Sequence, residues 1–123
     1  MIIALWAVNA LLALAFLGAG VNKLVKSKDA LVASGMAWAK GFPPASLKAI
    51  GAAEVIGALG LILPLATGVA PILSPIAATC LAVIMLGAIV VHLRHRDALK
   101  VTLPSAVLAV ISIVSAVLGF LVV

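Results

Sequence analysis

A chain of 123 residues, 67% hydrophobic and 9% charged, cannot hide its apolar surface in a water-soluble sphere, because ordinary globular proteins are about half apolar and about a quarter charged. Lipid is the solvent it calls for. The net charge of +5 matters by its placement along the chain and implies no nucleic-acid partner, while the one cysteine, Cys80, excludes an internal disulfide, a CxxC redox pair and a thiolate metal cage.

Residues 2–21 are the first stretch to approach the roughly 20 apolar residues that cross a hydrocarbon core about 30 Å thick. The positive charges follow this stretch and none precedes it, so it reads as a retained span and not as a signal peptide.

A long connector, 22–46, comes next. Within it Leu31, Val32, Gly35, Met36 and Ala39 recur at helical spacing between Lys28 and Lys40. This predicts one short interfacial helix over 29–40, with Trp38 at headgroup level.

Pro43 and Pro44, with Ser46 as N-cap, precede a second span over 47–67. Pro64 stands inside that span and is expected to kink its last turns. An uncharged turn, GVAP (68–71), leads to a third span over 72–91, with Pro75 in its first turn. The basic connector HLRHRDALKVT (92–102) leads to a fourth span over 103–123, opened by Thr102 and Pro104. The expected fold is all-α: one integral membrane domain, 1–123, forming a four-helix bundle with a short interfacial helix between the first and second spans.

The basic side chains set its orientation. Lys23, Lys26, Lys28, Lys40 and Lys48 flank the first connector and Arg94, Arg96 and Lys100 lie in the third. With an even number of spans these connectors share a side. The positive-inside rule makes that side cytoplasmic and leaves both termini outside.

Helices in lipid gain little hydrophobic energy from one another, so small residues that let backbones approach mark their interfaces. Ser105, Ala109, Ser112, Ala116 and Gly119 make one continuous face of the fourth span; Ala53, Gly57 and Gly60 make a face of the second; Ala15, Gly18 and Ala19 make one of the first. These faces are expected to pack the bundle, and a homodimer is the further use such a face allows.

Glu54 lies about seven residues into its span, on the order of 10 Å inside the boundary. A charge there costs about 2.5 kcal/mol or more unless it is protonated, paired or solvated. Asn22 and Lys23 close the first span on the same side, and His92 closes the third. Lys23 can bury its stem and extend its ammonium to Glu54, and His92 can donate to the same carboxylate. Glu54, Lys23, His92 and Asn22 therefore form an expected polar cluster, either a brace between three helices or a pocket for a headgroup, a small ligand or a proton. Asn9, in the outer half of the first span, is expected to hydrogen-bond a neighbouring helix. His92 and His95, with Asp97 the nearest carboxylate, are too few for a metal site. There is no Ser/His/Asp arrangement, no phosphate-cradling glycine loop and no paired carboxylates at depth. No catalytic residue, metal or cofactor is assigned, and the chain is expected not to be an enzyme.

Three segments, GAGVNKL (18–24), GFPPASLKAIGAAEVIGALGLILP (41–64) and LAVIMLGAIVVHLRHRD (81–97) followed by LP (103–104), together resemble the DoxX-like family of small four-helix membrane proteins. The resemblance runs over nearly the whole chain and is most specific at Glu54 between its glycines, with Lys23 and His92. It implies a multi-pass protein of a bacterial inner membrane, in which those three residues belong to the family's polar cluster. The family name reflects association with a terminal quinol oxidase. The pattern is also similar to that of a eukaryotic endoplasmic-reticulum chaperone of receptor assembly, without implying such a client here.

Three functions fit this reading. The leading one is a non-enzymatic accessory or chaperone-like factor acting on partner membrane proteins. The second is a binder of a lipid, quinone or small hydrophobic ligand as subunit of a redox complex. The third is a small proton-coupled transporter, for which four spans hold no internal repeat unless a dimer supplies the symmetry.

Overall fold

The computed structural model describes residues 1–97 and 99–123. In chain order they form α1 (Ile2–Val25), α2 (Lys28–Ala33), a 3-10 turn (Ala37–Gly41), α3 (Pro44–Thr67), α4 (Leu73–Arg94) and α5 (Leu99–Val122). α1, α3, α4 and most of α5 are long and apolar enough to cross a membrane. The chain is an all-α four-helix membrane bundle.

The long helices run past the apolar stretches, because hydropathy marks where lipid ends and not where backbone hydrogen bonding ends. α3 begins at Pro44, whose missing N–H costs nothing at the first helical position, and Ser46 lies inside the helix without capping it. α5 begins at Leu99, so Thr102 and Pro104 lie within its first turns instead of opening it.

The expected single helix over 29–40 is broken in two. Ser27 caps α2 by accepting from the Ala30 N–H, and Gly35, at φ 109°, ends the helix. The Gly35 N–H reaches the Val32 carbonyl and the Met36 N–H reaches that of Leu31. This pairing of a left-handed glycine with two crossed-back hydrogen bonds is a Schellman stop. The chain then folds down so that Leu31 and Ala39 bury with Leu47 of α3, under Val32, Met36, Trp38 and Phe42.

In the bundle α1 packs most closely on α3 and α4 on α5, with α3 against α4 and α1 against α5 completing the ring. Leu12, Phe16, Leu61, Leu81, Met85 and Ala109 fill its centre. Three of the seams are set by glycine. A Cβ on Gly57 would stand 2.6 Å from the Leu81 side chain, one on Gly60 2.9 Å from Ala77, and one on Gly119 2.8 Å from Pro75. At the α1–α3 crossing, Gly20 and Gly51 meet backbone to backbone. Ala109, Ser112 and Ala116 are buried on the same face as Gly119, with Ser105 half-buried at its lower end. Ala53, by contrast, is exposed, and so is Gly18, with nothing within 4 Å of where its Cβ would be.

Candidate functional site

The Gly20–Gly51 crossing positions the one buried carboxylate. With no side chain on Gly51, the Lys23 stem can lie against α3, where a Cβ on Gly51 would come within 2.9 Å of the Lys23 Cβ. The stem then carries the ammonium up to Glu54, about 15 Å along α3 from Pro44. Lys23 Nζ stands 2.8 Å from Glu54 Oε1, with the side chains 9% and 1% exposed. The contact is an ion pair, and among the described residues no donor other than the Lys23 ammonium reaches Oε1. In the bilayer this pairing offsets what either charge alone would cost.

A second lysine supports the first. Lys48 donates from Nζ to the carbonyls of Lys23 at 3.0 Å, Leu24 at 2.7 Å and Lys26 at 2.7 Å. Those carbonyls end α1, where a helix has unpaired acceptors and the negative end of its dipole. The cation thus ties the start of α3 to the end of α1, just below the ion pair. Asn22, next to Lys23 in the chain, is half-buried, and its side chain makes no hydrogen bond among the described residues.

His92 is engaged elsewhere. α3 and α4 run antiparallel with Gly57 against Leu81 and Gly60 against Ala77, which puts Glu54 at about the level of Ile84, and His92 about 12 Å nearer the basic end. There its Nδ1 lies 2.7 Å from Asp97 Oδ2, and its ring meets Trp38 edge-on at 6.0 Å between centroids. Asp97 can turn back because α4 ends in a second Schellman stop. Arg96 adopts φ 56°, its N–H reaching the Leu93 carbonyl and that of Asp97 the His92 carbonyl. The structure therefore brings Lys23 and Glu54 together and sets His92 in a separate group with Asp97 and Trp38. Trp38 also stacks edge-on against Phe42, at 5.5 Å.

A further polar layer lies toward the opposite end. Asn9 Nδ2 donates to the Leu61 carbonyl at 3.0 Å and to Ser74 Oγ at 3.1 Å, while Ser115 Oγ donates to Asn9 Oδ1. Ser74 Oγ donates to the same Leu61 carbonyl at 3.1 Å. The four groups come from α1, α3, α4 and α5, and Asn9 is fully buried. Pro64, in the same stretch of α3, lacks the N–H that would reach the Gly60 carbonyl. Sequence alone marks Asn9 as an interhelical donor; its partners emerge only once the helices are in register. Ser112, one turn before Ser115, is buried with no hydrogen-bond partner for Oγ among the described residues.

Residues 7–115 match the model of the DoxX-like family. The chain belongs to the DoxX-like family. This DoxX-like protein matches none of the curated proteins and none of the solved structures with which it was compared. Family and fold together make it a multi-pass membrane protein. No group of three or more metal-ligating side chains gathers among the described residues of this DoxX-like chain.

Proposed function

We propose that this DoxX-like protein is a non-enzymatic accessory factor, chaperone-like in action, that docks partner membrane proteins on its lipid-facing helix surfaces. One observation carries the reading: the strongest polar groups inside the bundle are engaged by one another, Lys23 with Glu54 and Asn9 with Ser74 and Ser115. The Glu54 group is then a brace that fixes the crossing of α1 and α3. The surface left for recognition is apolar, and at Gly18 and Gly87, where nothing lies within 4 Å of a Cβ, it allows a partner helix to approach closely. The chain acts as one four-span unit of a bacterial inner membrane, with basic connectors in the cytoplasm and both termini outside.

The test is photo-crosslinking in native membranes from a reactive side chain placed at Gly18. The expected result is a reproducible adduct with another membrane protein that a probe at buried Leu12 does not give. Adducts with lipid or with this chain alone would overturn the reading.

The second reading, a pocket for a lipid, quinone or other small hydrophobic ligand, rests on Glu54, a buried carboxylate whose Oε1 has only the Lys23 ammonium beside it among the described residues. Mass spectrometry of the purified protein distinguishes the two. A small molecule that copurifies with the native chain and is lost in a stably folded Glu54→Gln variant favours the pocket.

A further inference from the structure

The α3–α4 seam is closed in one half and open in the other. Gly57 and Gly60 press on Leu81 and Ala77, whereas Ala53, one turn nearer the basic end, is exposed. Below that opening is a cleft of about 350 Å³ lined by Trp38, Gly41, Phe42, Val91, Arg94 and His95. Its floor is apolar and aromatic. Its rim carries the Arg94 guanidinium and the His95 imidazole, both exposed.

We propose that this cleft binds the headgroup of an anionic phospholipid, with the phosphate at Arg94 and an acyl chain running up the open part of the seam past Ala53. Charge decides the class of ligand. Among the described residues Arg94 forms no ion pair, and Asp97, the carboxylate nearest in sequence, is held by His92 at 2.7 Å and by His95 more loosely at 3.9 Å. Lys40 adjoins Gly41 and Arg96 adjoins His95, and both are exposed. The end of α4 contributes about half a negative charge, so Arg94 in the lining, with Lys40 and Arg96 next to it in the chain, sets three cations against one carboxylate and that half charge. A zwitterionic headgroup would place its own cation beside Arg94, whereas phosphatidylglycerol brings net negative charge. Basic pockets beside membrane helices recognise headgroups in this way. The aromatic floor suits the boundary between headgroup and chain, where one side is wet and the other apolar.

This site is independent of the docking surface proposed above, so either can fail alone. The test uses the full chain carrying Trp6→Phe, which leaves Trp38 as its single tryptophan. It is reconstituted in dioleoylphosphatidylcholine vesicles containing equal mole fractions of either chain-brominated phosphatidylglycerol or chain-brominated phosphatidylcholine. Brominated phosphatidylglycerol is expected to quench Trp38 at lower mole fraction. Arg94→Gln is expected to reduce that preference about fivefold, the loss of one cation near an anionic headgroup, while Arg94→Lys retains most of it. Lys26→Gln, which removes the same charge outside the cleft, is expected to leave it intact. Equal quenching by the two lipids, or an equal loss in Lys26→Gln, would overturn the proposal. So would inorganic phosphate alone shifting Trp38 emission in plain phosphatidylcholine vesicles, since the ligand would then be a free anion. Unchanged helicity by circular dichroism is required of each variant, and Arg94→Ala, which also removes the cation, carries the comparison if Arg94→Gln loses it.

Discussion

Gly20 and Gly51 touch backbone to backbone. A Cβ on Gly20 would stand 2.7 Å from the Gly51 carbonyl oxygen, and one on Gly51 would stand 2.9 Å from that of Gly20. The Lys23–Glu54 pair sits one turn from this contact on each helix, so the crossing sets the distance the lysine must reach. Gly51→Ala is expected to push α1 from α3 and to cost about 1–3 kcal/mol, the usual effect of forcing a methyl into a packed seam. Gly18→Ala, on the same helix but in open space, is expected to leave thermal unfolding in detergent unchanged. Equal stability of the two variants would show that the close contact is not limiting.

The ion pair makes a second prediction, about asymmetry. Removing one partner of a buried pair leaves the other charge uncompensated, typically at about 3–5 kcal/mol, whereas replacing both with apolar groups is often neutral or better. Glu54→Gln and Lys23→Met are each expected to lower the unfolding temperature strongly, Lys23→Met more so because a carboxylate on Glu54 cannot snorkel from so deep. The double variant Lys23→Met with Glu54→Leu is expected to recover most of the loss. Additive losses in the double variant would mean that the two side chains stabilise the bundle separately.

What the sequence reveals about this site, and what it hides, follows from the reach of each interaction. The spans are legible because hydropathy is a local property, and so is the Lys23–Glu54 pairing, since few charges lie at membrane depth. Stripe spacing does not tell which stripe turns inward. It picks out Gly18 and Ala53, both exposed, and misses Gly20 and Gly51, which make the crossing. Lys48 reads as an orientation charge, but its ammonium closes the end of α1 at three carbonyls. His92 reads as a partner for Glu54 because both lie near the same boundary. Its engagement by Asp97 depends on Arg96 taking a left-handed conformation, which no spacing rule signals at an arginine.

Asn9 gives a third prediction. Its amide links α1 to α3, α4 and α5 through Leu61, Ser74 and Ser115. Hydrogen bonds between membrane helices average about 0.6 kcal/mol and reach about 1.7, so Asn9→Leu is expected to cost about 1–2 kcal/mol in all. A cycle with Ser115→Ala should show a coupling of the order of one such bond. No coupling would mean that the Ser115 hydroxyl keeps another partner when Asn9 is gone.

Orientation is open to direct test. The eight basic side chains crowd toward one end of the bundle, and moving even one of them across an energised membrane against the anionic leaflet is unfavourable. In a Cys80→Ala background, which removes the native thiol, a membrane-impermeant maleimide is expected to label Val123→Cys on intact cells. Lys26→Cys, just past the end of α1, should label only after permeabilisation. The contrast works because three spans, an odd number, separate Lys26 from Val123, so no rotation or tilt of the bundle can bring both to one face. Labelling of both from the same side would contradict the four-span arrangement itself, whereas an inverted pattern would keep the bundle and reverse its direction, placing the Arg94 cleft in the outer leaflet.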